Sequence, residues 1–550
     1  MGWWMAQNSP HKKRIIRMSP AEAMLRTDNA SADSAETNGV TGLEVLKTDS
    51  AEDGVTPALA RLAFLPGPYR KGELVLRATT DAQLAELVRL AEKAGAKLLD
   101  VAAGLRAVRL VFPDSASMSA FLTSRPAGME RSVEDSQQVE LNYTVQLPAP
   151  PPPVDPYAPG ALTPFGDGVM SFLGVPTDNS NWGRGTMLAM LDTGLSPGET
   201  GLLRGSPISE LDLMGGNAPD PGHGDLVAAL LEGTANGQGI VPGASLLSVR
   251  VLDSAGVGDV FTVSSGLNEA VQRGAKVVSL SLGTTQSSDI LATAVQQALS
   301  AGVLIVAAAG NDGVGQVAYP AAYSGVVAVS AVDANGIRAT FSNYGPEVLI
   351  SAPGVGIATQ TPAGTKSFSG TSAAAPLVAG ALSYIMSTDP TMTAQEAVKI
   401  LTNYADYAGP VTDANRNDFY GAGVVDLARV MAANDVTHTD MAFTGVYANM
   451  AAAVTDGGVT MVPVQVGVQN RGSQAQVGAQ INLLINGQVK SQLLPPMAPN
   501  QVRAVTINVP MQSLTGAGVI VNASMVSQFG DATPQNNQIT QLLQVRKAAP

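Results

Sequence analysis

The sequence predicts a multidomain protein. Its centre is a doubly wound α/β parallel sheet, preceded by an N-terminal ferredoxin-like α+β unit and followed by a C-terminal all-β sandwich. Three observations predict this. From about residue 162 to 435, near-continuous apolar runs alternate with amphipathic helical stretches. The proline run Leu147 to Gly160 cuts that region off from a short mixed α/β stretch before it. Beyond about residue 442 the pattern changes to a period of two, with almost no helical spacing. A length of 550 residues accommodates three or four such domains.

Residues 1–71 are polar, rich in Ala, Ser, Asp, Glu and Thr, and read as a largely disordered leader. Glu73 to Arg77 then reads as a strand. Leu84, Leu87, Val88 and Ala91 stand at helical spacing over Asp81 to Ala94, with Thr80 or Asp81 as the cap. Leu105 to Phe112 is a strand, Asp114 to Leu122 a short helix, and Val133 to Leu141 the last strand. This strand–helix–strand–strand–helix–strand order over 72–142 is the ferredoxin-like signature. Residues 143–161 form a Pro-rich, extended and exposed linker.

In the central region (162–435), the runs at Met187–Leu191, Ser245–Val251, Lys276–Leu282, Val303–Val306 and Val326–Ser330 are apolar almost throughout. Strands of that kind are covered on both faces. Asp225–Glu232, Val263–Arg273 and Ile290–Ala301 supply helices between them. In the tail, 442–546, Val462, Val464, Val466 and Val468 alternate with other residues, as do Ile481, Leu483 and Ile485. Asn486-Gly487 is a two-residue hairpin signal. Val505, Ile507 and Val509 repeat the period, giving a sandwich.

Composition excludes several functions. With no Cys there is no disulfide, thiolate nucleophile or zinc-thiolate site. A net charge of −13 opposes a nucleic-acid partner. No apolar run approaches the ~20 residues of a transmembrane segment. The N-terminus has a basic cluster without a following apolar stretch, so no signal peptide is legible as written.

Four positions carry candidate chemistry. Histidine is scarce: His11 lies in the leader, His438 before the sandwich, and only His223 within the α/β region. An imidazole base there must be His223, although a lone His at a helix start is more often a surface residue. Asp192, in Leu191-Asp-Thr-Gly194, ends a buried strand, where α/β sheets place their sites. It could equally cap a turn. An Asp-Thr-Gly also marks pepsin-like aspartic proteases, but those need two sharing a proton, and this chain has one. Ser372, in Ser369-Gly-Thr-Ser-Ala-Ala-Ala-Pro376, opens an apolar helix, as a nucleophile or as a plain N-cap. Asn311, in Ala309-Gly-Asn-Asp-Gly313, can aim an amide at a developing oxyanion or simply make a turn.

The order Asp192, His223, Asn311, Ser372, with these contexts, resembles the subtilisin-like serine proteases, the subtilases, over about residues 162–435. Ser281-Leu-Gly283, Phe341-Ser342, Ala352-Pro-Gly354 and Tyr420 to Asp426 add to the match. The resemblance implies a triad of Asp192, His223 and Ser372 with Asn311 in the oxyanion hole. It implies that Ser281, Leu282 and Gly283 pair with substrate backbone, and that Ala308, Ala309 and Gly310 wall the pocket before the scissile bond. The chain departs from the family pattern at Asp225, Ala373 and Leu377. Asp225 is expected to add charge beside His223. The sedolisin relatives fit less well, since they place Asp where Asn311 stands.

The 72–142 unit resembles subtilase prodomains, implying a self-processed zymogen inhibited by its own N-terminal part. The 442–546 sandwich resembles CARDB-type modules, on Val468 to Gly472, Leu494 to Pro499 and Asp531 to Asn537. Together these imply a serine endopeptidase acting on polypeptides, secreted by or displayed on a bacterium. The alternative is a catalytically silent subtilase scaffold acting in adhesion. No cofactor is required; structural calcium is left open. Glu232 to Gly239 holds one carboxylate, and Asp413 to Asp418 reads as a solvated loop.

Overall fold

The computed structural model describes residues 55–124, 139–151, 162–203, 207–216, 222–234, 237–411, 416–449, 452–485, 488–515, 519–527, 530–531 and 533–543. The chain forms two compact units. One comprises Met1–Asn142 with Gln286–Asp289; the other comprises Tyr143–Thr285 with Ile290–Pro550.

The first unit has the expected element order. Strands Tyr69–Arg77, Lys97–Ala102, Ala107–Val111 and Val139–Gln146 alternate with helices Asp81–Lys93 and Ser115–Thr123. The Tyr69 strand pairs antiparallel with the Ala107 strand, as does the Lys97 strand. Thr80 caps the first of these helices, accepting from Gln83 N, while the Gln83 side chain returns the bond to Thr80 N. Two expectations are corrected. The helix Val55–Leu62 and the start of the Tyr69 strand fall inside the range read as leader; residues 1–54 lie outside the described residues. The last strand is Val139–Gln146, later than expected; it runs past Asn142 into the second unit, and the buried Tyr143 and Val145 correct the expectation that an exposed linker starts at residue 143. Residues 133–138 of the expected strand lie outside the described residues.

The second unit is built on a seven-stranded sheet. Its order is Val348–Pro353, Val327–Val332, Leu304–Ala308, Val277–Leu280, Met187–Asp192, Ser245–Arg250, Ile208–Asp212. Every pairing in it is parallel. Helices cover both faces, so Leu188, Ala189, Met190 and Leu191 are all fully buried rather than alternately so. Met187–Asp192 comes first in the chain, and later strands extend the sheet on both of its sides. The carboxyl end of that strand is therefore a topological switch point, where such sheets bind ligands. The helices His223–Glu232, Val260–Gln272 and Asp289–Ser300 fall within a few residues of expectation.

Residues 441–543 form two four-stranded antiparallel sheets. One contains Met441–Ala448, Val454–Asp456, Val459–Asn470 and Val502–Pro510; the other contains Gln480–Ile485, Gln488–Leu493, Val519–Val526 and Gln538–Leu543. Val462, Val464, Val466 and Val468 are all buried on one face. Ile485 pairs with Gln488, as the two-residue hairpin requires; residues 486–487 themselves lie outside the described residues. A polar joint ties this sandwich to the α/β core. Arg429, 4% exposed, donates to the Tyr404 and Ala405 carbonyls at 3.0 and 2.6 Å and to Asn500 Oδ1 at 2.6 Å. Gln469 accepts from Tyr407 N at 3.0 Å and donates to Ala405 O at 3.1 Å. Arg471 pairs with Asp406 at 2.8 Å. Burial, and then the neighbouring Asp406, push the Asp426 carboxyl up to about 6.

Removing one member of a buried ionic network typically costs about 3–5 kcal/mol. Arg429→Ala is expected to lose stability of that order in urea denaturation. Substitution of the exposed Arg89, paired with Glu86 on a helix surface, should leave the urea midpoint unchanged.

Candidate active site

Asp192 is the last residue of the strand Met187–Asp192 and is 1% exposed. Its Oδ1 accepts from Thr193 N at 2.7 Å, and both carboxylate oxygens lie 3.0 Å from His223 Nδ1. The imidazole approaches because two glycine-bearing turns touch. A Cβ on Gly224 would lie 2.1 Å from the Gly194 carbonyl oxygen, which only glycine avoids. Gly224 N donates to Thr193 Oγ1 at 3.0 Å, closing the join. The second His223 face meets the Phe368 ring edge-on, centroids 5.3 Å apart.

His223 is the first residue of its helix. Asp225 accepts from Gly222 N at 3.1 Å and from Ser196 N and Oγ at 2.8 and 2.7 Å. Asp225, expected to add charge beside His223, also has a bonding role. Its oxygens are engaged by Ser196 and by the backbone at the helix start, so it fastens the His223 helix to the Gly194 turn. The aspartic-protease alternative needs a second carboxylate on Asp192; among the described residues Asp192 bonds to the imidazole and to Thr193 N.

Ser372 is the second residue of the helix Thr371–Thr388, which begins earlier than expected, after Gly370 at φ 131°. A backbone N–H at that position has no partner within the helix. Pro376 lies one turn later and lacks an N–H, so the bond that residue 376 would give the Ser372 carbonyl cannot form. Ser281 Oγ takes its place, donating to Ser372 O at 2.9 Å. In return Ser372 Oγ donates to Ser281 O at 3.3 Å.

Asn311 follows the strand Leu304–Ala308. Its Oδ1 accepts from both Thr371 N and Thr371 Oγ1 at 2.9 Å. Those two donors fix which way the amide faces and leave Nδ2 pointing outward. Nδ2 donates to the Ala149 carbonyl at 3.0 Å. Residues 144–149 lie extended beside it. Thr144, Val145 and Gln146 pair antiparallel with Asp259, Gly258 and Val257. Gln146 exchanges both backbone bonds with Gly283, at 3.0 and 2.9 Å, and Leu147 N donates to Gly256 O at 3.0 Å.

The structure thus brings together Asp192 and His223, and Ser281 and Ser372, with Asn311 joined to Thr371 beside Ser372. Ser281 and Leu282 are buried, and Gly283 supplies the backbone edge. Ala308 belongs to the hydrophobic core and Ala309 is fully buried, bonding Val329 and Ala318 through its backbone. Gly310, at φ 110°, leaves room for the Asn343 amide. His438 lies near the sandwich, bonding Ser473 through its carbonyl, and His11 lies outside the described residues. Sequence reasoning missed Thr371, the Ser281 hydroxyl and the Gly256–Asp259 strand edge. The Pro376 signal was visible, but its consequence for Ser281 depends on residues 91 positions apart.

Two further buried carboxyls near these elements, Glu199 and Glu232, have no hydrogen-bond partner among the described residues. Burial pushes Glu232 up to about 8, and burial followed by repulsion from Asp225 does the same for Glu199. Among the described residues, no group of three or more His, Asp or Glu side chains is disposed to hold a metal. Residues 235–236 and 413–415, within the stretches considered for calcium, lie outside the described residues.

Comparison with known proteins is consistent with this geometry. The description Subtilase family matches residues 183–423. The thermostable alkaline protease of Halalkalibacterium halodurans is 39% identical over 252 residues, covering 45% of this chain and 68% of that protein. Subtilisin DY of Bacillus licheniformis is 36% identical over 253 residues, covering 44% of this chain and 90% of that protein. A mutant of the protease domain of PatA aligns at 26% identity with a TM-score of 0.41, covering 46% of this chain and 97% of that one.

Two predictions follow from the site's packing. Ser281→Ala leaves a buried carbonyl unpaired and should cost about 1–3 kcal/mol in urea melts. In a Pro376→Ala background the helix can supply that bond itself, so a double-mutant cycle should return a coupling of about 1 kcal/mol. Glu232 has a folded-state pKa above its unfolded one, so it weakens the fold as pH rises from about 4.5 to about 8. Glu232→Gln should therefore gain stability relative to the parent across that window, measured as a rising difference in melting temperature.

Proposed function

Because the chain belongs to the subtilase family and shares the α/β core of subtilisin-like serine proteases, we propose that it is a serine endopeptidase working through Asp192, His223 and Ser372. The observation that carries the reading is the Asn311 amide, fixed by Thr371 and holding a backbone carbonyl next to the Ser372 helix.

The groups divide the chemistry as follows. Ser372 Oγ swings from the Ser281 carbonyl toward the substrate and gives its proton to His223 Nε2. Asp192 accepts from Nδ1–H, which fixes the tautomer and stabilises the imidazolium. The oxyanion is met by Asn311 Nδ2 and by Ser372 N, the donor left free at the helix start. His223 then returns the proton to the leaving nitrogen, and water repeats the cycle on the acyl-enzyme. Substrate adds as a strand between Gly283 and the edge at Gly256–Asp259, using backbone bonds that tolerate many sequences. Ala308, Ala309 and Gly310 close the floor behind the residue before the scissile bond.

The same reading makes residues 72–142 a prodomain and the chain a self-processing zymogen. It makes 442–546 a CARDB-like module, and the protein secreted or displayed on a bacterial surface. Among the described residues, no helix is long and apolar enough to cross a membrane. No cofactor enters the reaction. The scaffold alternative is disfavoured by the bonding of Asp192 to His223 and of Asn311 to Thr371, since an unused site has no need to hold these groups in place.

Ser372→Ala should abolish both peptide hydrolysis and labelling by a fluorophosphonate. Asn311→Leu should lower kcat by about 10²–10³ with little change in KM, the loss known for the equivalent donor in subtilisin. Retention of full peptidase activity by Ser372→Ala would refute the triad; absence of labelling in the parent chain would favour the scaffold.

A further inference from the structure

The two C-terminal sheets share one apolar core, and each has an edge. Among the described residues, Val502–Pro510 pairs with Val459–Asn470 alone, and Gln488–Leu493 with Gln480–Ile485 alone. A cavity of about 480 Å³ lies where these two edge strands meet. Its lining includes residues 502–505 without a break, so the unpaired main-chain edge of that strand is one wall. Register decides which side chains enter it. Arg503 stands opposite Val468, and Gln492 opposite Ile481. Paired residues share a face, and Val468 and Ile481 are fully buried, so Arg503 and Gln492 point toward the gap between the sheets. Leu494 and Val505 are the apolar floor, 4% and 2% exposed. Val411, from the α/β core, closes one side; its Cγ2 would lie 3.1 Å from a Cβ on Gly467.

Arg503 is the anomaly in this cavity. It is the one cation of the described lining, and its Nε is buried with no hydrogen-bond partner among the described residues. A guanidinium cannot shed its charge, so sinking its stem without a partner is costly. The chain has 45 acidic residues, yet none of the described ones pairs with this side chain. Its Nη groups, which solvent reaches, are left for a ligand. We infer that the cavity binds the free C-terminal carboxylate of a peptide, whose last residues lie along the 502–505 edge. The guanidinium fork matches a carboxylate in two parallel bonds. A single cation balances a single negative charge, and a net charge of −13 opposes phosphate and other multiply charged ligands. The free strand edge supplies the main-chain bonds that a peptide needs, and Gln492 adds an amide donor and acceptor. The walls from Val411, Leu494 and Val505 suit an apolar last side chain. Hydrolysis of any peptide bond creates one such carboxylate, so this site would retain cut ends on the protein that makes them. Its chemistry is independent of the Ser372 site.

The test uses the full chain carrying Ser372→Ala, so that added peptides stay uncut. Fluorescence anisotropy follows the peptide Gly-Gly-Ala-Leu, labelled at its N-terminus, as the free acid and as the C-terminal amide. Unlabelled peptide acid and octanoate serve as competitors. The acid is expected to bind saturably and the amide at least ~10-fold more weakly, because the charge-assisted bonds to Arg503 are lost. Adding Arg503→Gln should abolish that difference and leave amide binding as it was. Octanoate has the carboxylate but no main chain for the strand edge, so it should displace the labelled acid far less well than the unlabelled peptide does. Absence of saturable binding by the acid, or equal affinity for acid and amide, overturns the site without any further variant. An undiminished preference for the acid in the Arg503→Gln protein overturns it as well. Displacement by octanoate at the same concentration as peptide overturns the peptide assignment. Each of these failures leaves the protease reading standing, since binding at the Ser372 site does not depend on Arg503.

Discussion

The close approach of Gly194 and Gly224 is the constraint on which the rest of the site depends. One glycine ends the turn after Asp192 and the other follows His223, and no side chain fits between them. Any Cβ at position 224 would push the His223 helix outward and separate imidazole from carboxylate. Because the contact is backbone to backbone, no rotamer change relieves it. Thr193 and Asp225 then fasten the two turns, one through Gly224 N and the other through Ser196 and Gly222. The orientation of the imidazole is thus set by main-chain packing and a small ring of hydrogen bonds rather than by the Asp192 charge alone.

A second fastening concerns the Ser372 helix. Its apolar length, buried along most of its course, runs through the centre of the core and contacts several strands of the sheet. A proline in the second turn would ordinarily weaken such a helix. Here the freed carbonyl belongs to Ser372 itself and is taken by Ser281 Oγ, from the residue just past the next strand. The Ser281–Gly283 edge and the helix bearing the Ser372 hydroxyl are therefore connected by a reciprocal pair of serine bonds. Movement of one edge is transmitted to the other at the point where chemistry would occur.

The C-terminal sheets are joined to the α/β core by buried, hydrogen-bonded polar groups. Arg429 and Gln469 bond the main chain of Tyr404, Ala405 and Tyr407. Networks of this kind are specific because each member is costly to leave unpaired. That makes the joint a fixed geometry, and it gives the C-terminal module a structural part in the second unit irrespective of what its outer surface meets.

Periodicity in the sequence determined most of the elements: continuous apolar runs for the parallel strands, Val462 to Val468 for the sandwich, and Leu84 to Ala91 for a capped helix. Those signals are local, since burial on both faces or one face leaves its mark on neighbouring residues. The same holds for Asp192, His223, Asn311 and Ser372, each legible from a strand end or helix start. Only the tertiary structure decided what each side chain is used for. Asp225 read from the sequence as a charge near the imidazole, and its bonds to Ser196, 29 positions away, were not legible there. The strand that starts at Val139 reaches Gln146 because Tyr143 and Val145 have a buried face to fill. Ser281 as a donor to Ser372, and Ala149 as the carbonyl on Asn311, depend on contacts 91 and 162 residues apart. Hydrogen bonds at that separation leave no periodic trace, because the chain between them is free to vary while the folded backbone alone sets the distance.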